Sequence, residues 1–251
     1  KQNELDERLI VTPALAIAQS RNVEIKMADD AVSALRDSMN VFTDYTPAMA
    51  ESIRQRESLC DYYEDILGSY LIKISAAKLG EAESEQVTAL LKSIGDFERI
   101  SDHAVNILES AEELRDKGLS FTETAKSEYN VLKSAIEEVL SLSLRAFTGN
   151  DVNIARKVEP LEEVIDGLKE TLRTRHICRM KEGKCSIEVG FVWSDIITNL
   201  ERVSDHCSNI AGCVLDMEQH NMDMHKTLNN ARSNGKDFDM YFEEYSKKYS
   251  V

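Results

Sequence analysis

Residues 97–107 read Phe-Glu-Arg-Ile-Ser-Asp-His-Ala-Val-Asn-Ile, and residues 200–210 read Leu-Glu-Arg-Val-Ser-Asp-His-Cys-Ser-Asn-Ile. Seven of the eleven positions are identical in the same register, and the two stretches begin 103 residues apart. A match of this length indicates an internal duplication, so the chain consists of two similar halves of about 100 residues each. Each copy lies in a segment with helical periodicity, which predicts that its Glu and Asp, four residues apart, share one helix face.

The composition indicates a mostly helical, soluble protein. Of the 251 residues, 42% are apolar and 30% charged, while Gly (10) and Pro (3) are scarce. Such a chain can bury a core but has few residues that favour turns between strands. The net charge of −15 argues against nucleic acid and anionic membranes as direct partners. It suits cations or basic partners, and simple solubility explains it equally well.

Cysteine usage and the first residues bear on the cellular location. The five cysteines show no C-x-x-C pair and are predicted to be reduced thiols in the cytosol. The longest nearly apolar run, Ile10 to Ala18, is too short to span a bilayer. Because the first residue is Lys1 rather than Met, we expect a piece of a longer chain or a processed one, whose remainder could hold a membrane span.

Helical periodicity and helix-start signals predict an all-α fold of two tandem three-helix bundles, with a short N-terminal arm and a C-terminal tail. Thr46 followed by Pro47 marks a helix start, and Gly80 and Gly118 mark helix ends. Pro160 predicts a kink inside a helix that runs from Asp151 to about Glu182. The predicted divisions are an arm at 1–20, a first repeat at 21–118, a second repeat at 119–220, and a tail at 221–251 with a short helix at 238–249.

Acidic residues on the middle helices extend the repeat. Glu57, Asp61 and Glu64 have spacings of four and three, and Glu159, Glu163 and Asp166 reproduce those spacings 102 residues later. An acidic run on a helix is usually a solvated face, but repetition at matching positions favours a site. Oxygen ligands suit Mg, Mn, Ca or Fe better than a structural zinc site. If the middle and last helices of each half are neighbours, the predicted metal ligands are Glu57, Asp61, Glu64, Glu98 and Asp102 in the first half and Glu159, Glu163, Asp166, Glu201 and Asp205 in the second, with Asn106 and Asn209 as secondary ligands.

His103 and His206 directly follow the motif aspartates, so they point about 100° away around the helix. They are interpreted as packing or surface groups rather than ligands.

The duplicated E-R-x-S-D-x-x-x-N-I motif resembles that of the PhoU family over about residues 22–220. The resemblance implies a phosphate-homeostasis regulator that binds multinuclear iron or zinc clusters through an E/D-x-x-x-D signature, here Glu98/Asp102 and Glu201/Asp205. Many family members have Gly and then an acid where this chain has Ser101 to His103, so each half has one ligand fewer. The flanks, residues 5–14 and 245–250, look like the cytoplasmic carboxy-terminal region of bacterial Na/phosphate cotransporters.

The leading functional prediction is therefore a regulatory domain of a sodium-dependent phosphate cotransporter, at the cytoplasmic face of the cell membrane. Its cofactors would be iron, zinc or manganese ions. Its partner would be the membrane transport domain of the same chain, with phosphate as a further ligand and a homodimer as an open alternative. Two other readings stay open: a stand-alone PhoU-type regulator and a metal-free acidic helical adaptor. An enzyme is disfavoured because the chain has no Glu-x-x-His, Gly-rich phosphate loop or catalytic triad pattern.

Overall fold

The fold consists of two helical bundles that follow each other along the chain. A computed structural model describes residues 4–223 and 230–251. A 3-10 helix (Glu7–Val11) precedes the first half, which comprises α1 (Pro13–Asn40), α2 (Pro47–Ser75) and α3 (Glu81–Asp116). The second half comprises α4 (Glu123–Gly149), α5 (Val152–Ala155), α6 (Val158–Lys181) and α7 (Ile187–Asp223), and α8 (Asn230–Lys248) follows it. These two described ranges contain no strand, and the predicted all-α fold of tandem bundles is confirmed.

The two bundles share one hydrophobic core. Helices α1, α2 and α3 pack against one another, as do α4, α6 and α7, while α3 contacts α7 and α1 contacts α4. At the junction, the ring of Phe97 on α3 lies 5.0 Å, centroid to centroid, from the ring of Phe147 on α4. The two helices that carry the repeated motif, α3 and α7, are therefore neighbours across the boundary between the halves.

Local capping signals place several helix ends where the sequence predicts them. The Thr46 hydroxyl accepts a hydrogen bond of 3.1 Å from the Met49 N–H, and the Thr122 hydroxyl accepts one of 3.1 Å from the Ala125 N–H. Both bonds satisfy donors that the first turn of a helix leaves unpaired. Gly118, just beyond α3, has φ +62°, a conformation that glycine adopts without steric cost.

The predicted arm at residues 1–20 is wrong in its second part, because α1 begins at Pro13. Ala16, Ile17 and Ser20 are buried, so this segment belongs to the bundle. The physical reason is the same as at Pro47: the fixed φ of proline suits the first turn, where its missing N–H costs nothing.

The predicted kink at Pro160 is also wrong. The segment is two helices, interrupted at Arg156 and Lys157. The carboxylate of Asp151 caps α5 by accepting a hydrogen bond of 3.1 Å from the Ile154 N–H. Pro160 is the third residue of α6, within the first turn, where the backbone N–H has no intrahelical partner. Proline therefore marks a helix start here rather than a bend.

Helix α8 packs against α6, and it begins at Asn230, earlier than the short helix predicted at 238–249. Tyr245 and Tyr249 are buried, and the Lys248 ammonium lies 2.9 Å from the Glu138 carboxylate of α4. Residues 224–229 of the predicted tail lie outside the described residues. Among the helices that are described, none is both long and apolar enough to cross a membrane.

Candidate metal centre

The first half brings its predicted acids together between α2 and α3. A short turn joins these two packed helices, so they run antiparallel and present facing surfaces. Glu57, Asp61 and Asp102 each place a carboxylate oxygen within 4.8 Å of the other two. It is the one group of at least three potential metal ligands at this spacing within the described residues.

The remaining two acids, Glu64 and Glu98, border this group. Burial, followed by a hydrogen bond and the charge of Asp102, raises the pKa of Glu98 to about 8. The pKa of Glu64 is raised, first by burial and then by the charge of Asp61. Burial likewise raises the pKa values of Glu57 and Asp61, with neighbouring carboxylates adding to the effect. The surface between α2 and α3 that carries these five acids, called here the first acidic face, therefore brings together carboxylates that repel one another.

Arg99, on the same helix as Asp102, brings a cation to these acids. The guanidinium of Arg99 lies 3.7 Å from the Asp102 carboxylate, but the Arg99 side chain is 63% exposed. An exposed pair of this kind contributes little, about 0–1 kcal/mol. A bound divalent ion would relieve the repulsion more effectively, and oxygen donors on two helices suit Mn, Fe or Mg.

The second half follows a different register from the predicted one. The buried positions of α2 are matched by buried positions 105 residues later on α6, not 102. The matched pairs are Ile53 and Val158, Cys60 and Ile165, Leu67 and Leu172, Leu71 and His176, and Ile74 and Arg179. In this register, Glu57, Asp61 and Glu64 correspond to Glu162, Asp166 and Lys169.

The contacts of the second half agree with the shifted register. Burial raises the pKa of Glu162 to about 8, and the neighbouring carboxyl group of Asp205 adds to this effect through hydrogen bonding and charge. The charge of Asp166 acts on both Glu162 and Glu201. Asp166, Glu201 and Asp205 therefore come together as predicted, joined by Glu162, which the sequence analysis missed.

The prediction that Glu159 and Glu163 belong to this face is wrong. Their first-half counterparts in the 105-residue register are Arg54 and Ser58, which are not among the acids of the first face. Their 102-residue match to Glu57 and Asp61 arises because acids are frequent on both helices. The buried positions of α6 carried the signal that could have revealed the register.

The ammonium of Lys169 stands where the first half has Glu64. Its Nζ lies 3.2 Å from Oε2 of Glu201, and the two side chains are only 19% and 13% exposed. Burial raises the pKa of Glu201, as does the charge of Asp205, while the hydrogen bond from Lys169 lowers it. The donor set of the second half therefore includes its own cation and fits a metal ion less well than the first.

Asn106 and Asn209, predicted as secondary ligands, lie instead at the contact between α3 and α7. The Asn106 amide donates to Oδ1 of Asn199 at 3.2 Å, and the Asn209 amide donates to Oδ1 of Asp96 at 3.2 Å. Asn106 and His103 both bond Oδ1 of Asn199, so the Asn106 amide is engaged between the halves rather than with the acids. Buried His103 is a packing group, as predicted.

Fold and site together define a duplicated helical-bundle protein with acidic residues on paired helices. The family model for the PhoU domain matches residues 25–111 and again residues 130–214. The chain therefore belongs to the PhoU family, with one match in each half.

Named relatives agree with this assignment. The phosphate-specific transport system accessory protein PhoU homolog 1 of Thermotoga maritima is 31% identical over 53% of this chain and 56% of its own length. The corresponding PhoU homolog of Pseudomonas aeruginosa is 24% identical over 72% of this chain and 74% of its own. Among solved structures, the phosphate transport system regulatory protein PhoU of Streptococcus pneumoniae has the same fold, with a TM-score of 0.71, 20% identity, and coverage of 83% of this chain and 97% of that one.

Proposed function

We propose that this chain is a non-enzymatic regulator of phosphate transport that works on the cytoplasmic side of the membrane. The observation that carries the proposal is the double match to the PhoU domain. The relatives from T. maritima and P. aeruginosa are named as accessory proteins of a phosphate-specific transport system. The partner implied for this chain is accordingly a component of a phosphate transporter.

Two forms of this regulator are compatible with the sequence. The flanks suggest a domain of a sodium-dependent phosphate cotransporter, whereas the relatives are accessory proteins of a transport system. These names support the PhoU-type regulator better than the cotransporter domain.

The metal part of the proposal depends on the first half. Glu57, Asp61 and Asp102 would hold the ion directly, with Glu64 and Glu98 beside it. Iron, zinc and manganese are the candidates, and clusters of several ions follow from the family resemblance. When bound, the ion supplies positive charge between α2 and α3 and holds these two helices at one spacing. Phosphate binding to such an ion would then link the phosphate level to the arrangement of the bundle.

Elemental analysis of the purified chain tests metal binding. The comparison is with the Asp102→Asn/Asp205→Asn double variant, provided that its helicity is unchanged. We expect iron, zinc or manganese in the parent and none in the variant. If the parent binds none of these ions even after incubation with them, the acids form a solvated or partner-binding face, and a metal-free acidic adaptor becomes the better description.

The regulatory role needs a test in cells. Deleting the gene in the source organism should change phosphate uptake at high external phosphate, and the wild-type gene should restore it. Unchanged uptake in the deletion strain would contradict the regulatory proposal, independently of the metal result.

A further inference from the structure

The two acidic faces of the chain are not equivalent, although the sequence motif that they share is duplicated. The first half presents five carboxyl groups, those of Glu57, Asp61, Glu64, Glu98 and Asp102. The second half presents four, those of Glu162, Asp166, Glu201 and Asp205, together with the ammonium of Lys169. The exchange of Glu64 for Lys169 reverses a charge at one position of the face.

Lys169 is held in this position by its surroundings. Its side chain is 19% exposed and pairs with a Glu201 side chain that is 13% exposed. A largely buried ammonium is stable only when it is paired, because leaving it without a partner carries the cost of removing it from water. The arginines of the two motifs, Arg99 and Arg202, are both exposed, so neither is a buried counter-charge of this kind.

Lys169 disfavours a metal ion in the second half for two reasons: it adds positive charge, and it occupies an oxygen that a metal would need. A divalent ion among Glu162, Asp166 and Asp205 would be repelled by the neighbouring ammonium. In addition, Oε2 of Glu201 already accepts a hydrogen bond from Lys169. In the first half a metal ion would relieve the repulsion among the acids, whereas in the second half the ammonium of Lys169 already offsets part of it at Glu201.

We propose that Lys169 is a built-in counter-ion that takes the place of a metal ion in the second half, so that this chain binds metal through its first half alone. The inference rests on the proposed function for the first half, which is taken to bind metal. It adds that the duplicated motif has two separate roles, a metal site in one half and a permanent ion pair in the other.

Single variants show which half of the chain binds the metal ion. Mn²⁺ bound per chain is measured by elemental analysis after equilibration and desalting, for the wild type, Asp102→Asn and Asp205→Asn. We expect Asp102→Asn to abolish the bound Mn²⁺ and Asp205→Asn to leave it unchanged. Loss of Mn²⁺ in both variants would overturn the proposal while metal binding itself stands, and absence of Mn²⁺, iron and zinc from the wild type would remove its basis in the proposed function.

A gain-of-site variant provides the second test. Lys169→Glu restores the first-half pattern, and we expect it to raise the bound Mn²⁺ by up to about twofold. Without metal, its melting temperature should fall below that of the wild type, and added Mn²⁺ should restore it, because only the ion then neutralises the second face. Lys78→Glu is the matched control: it makes the same charge change at an exposed lysine in the turn between α2 and α3, and should alter neither quantity.

The reciprocal change, Glu64→Lys, should abolish Mn²⁺ binding in the first half. If Lys169→Glu does not fold, this variant and the Asp102→Asn and Asp205→Asn pair still decide the question. An unchanged amount of Mn²⁺ in Glu64→Lys would show that an ammonium at this position does not exclude the ion, and the proposal would be wrong.

Discussion

His206 on α7 and Asp96 on α3 form a hydrogen bond between the two halves, with 2.9 Å between Nδ1 and Oδ1. The pseudo-symmetric bond joins His103 on α3 to Asn199 on α7 at 2.8 Å. The two imidazole rings lie 5.6 Å apart, centroid to centroid. The histidines of the repeated motif therefore connect the halves, while the acids beside them face α2 and α6.

Replacing Asp96 tests this contact between the halves. Asp96→Ala removes the acceptor of both His206 and Asn209, and we expect the free energy of unfolding to fall by about 1–3 kcal/mol. Asp96→Asn should cost less, below about 1 kcal/mol, because Asn199 makes the equivalent pair of bonds with its amide oxygen. Urea unfolding of the metal-free protein measures both. Equal losses in the two variants would show that the carboxylate charge, and not the acceptor, matters here.

The acidic faces predict how stability depends on pH in metal-free protein. The pKa values of Glu98 and Glu162 are raised from 4.5 to about 8, so the folded chain keeps protons that the unfolded chain releases. The free energy of unfolding that these groups contribute therefore falls as the pH rises from about 4.5 to about 8. Urea unfolding in the presence of a chelator, at several pH values in this window, should show this slope.

Substitutions assign the slope to particular residues. Glu98→Gln should reduce it, because the amide cannot release a proton, whereas Glu170→Gln, at an exposed position of α6, should leave it unchanged. Saturating Mn²⁺ should oppose the slope, since metal ligands must be deprotonated and binding strengthens as the pH rises. A slope that Glu98→Gln does not alter would contradict the crowding of acids between α2 and α3.

Phosphate should stabilise the chain only when metal is bound. The first-half face is acidic and would repel a free phosphate, whereas an ion held by Glu57, Asp61 and Asp102 could accept phosphate oxygen as a ligand. We expect phosphate to raise the melting temperature of Mn²⁺-loaded protein and to leave chelator-treated protein unchanged, with sulfate as the control anion. The same shift in both samples would mean that phosphate binds elsewhere or acts as a salt.

The sequence was sufficient to predict the helices and the first acidic face, because helix periodicity and capping are local properties. The start of α1 at Pro13 could have been predicted as well, because Thr12 followed by Pro13 is the same helix-start signal as Thr46 followed by Pro47. The second face was not predictable from acid spacing, because the break before α6 shifts its packing register, which makes Glu162 and Lys169 the residues that matter. The pairing of Asp96 with His206 depends on which helices pack together across the halves, and no local pattern encodes that.

The second bundle contains a buried ion pair between Glu128 on α4 and Arg179 on α6. No pattern in the sequence predicted this pair. The guanidinium lies 3.0 Å from the carboxylate, and the side chains are 9% and 5% exposed for Arg179 and Glu128. Arg179 also lies over the ring of Trp193, 5.6 Å from its centroid. Trp193 is the single tryptophan of the chain, so its fluorescence reports on this cluster.

Arg179→Met should lower the free energy of unfolding by about 3–5 kcal/mol, because it leaves Glu128 buried without its closest cation. The double variant Arg179→Met/Glu128→Leu should recover much of this loss, since an apolar pair needs no counter-charge. Lys126→Met, which breaks an exposed pair with Glu123, serves as the control and should cost less than about 1 kcal/mol. Urea unfolding followed by Trp193 fluorescence measures all three. A double variant as unstable as Arg179→Met would mean that Arg179 stabilises the bundle through its packing on Trp193 rather than through its charge.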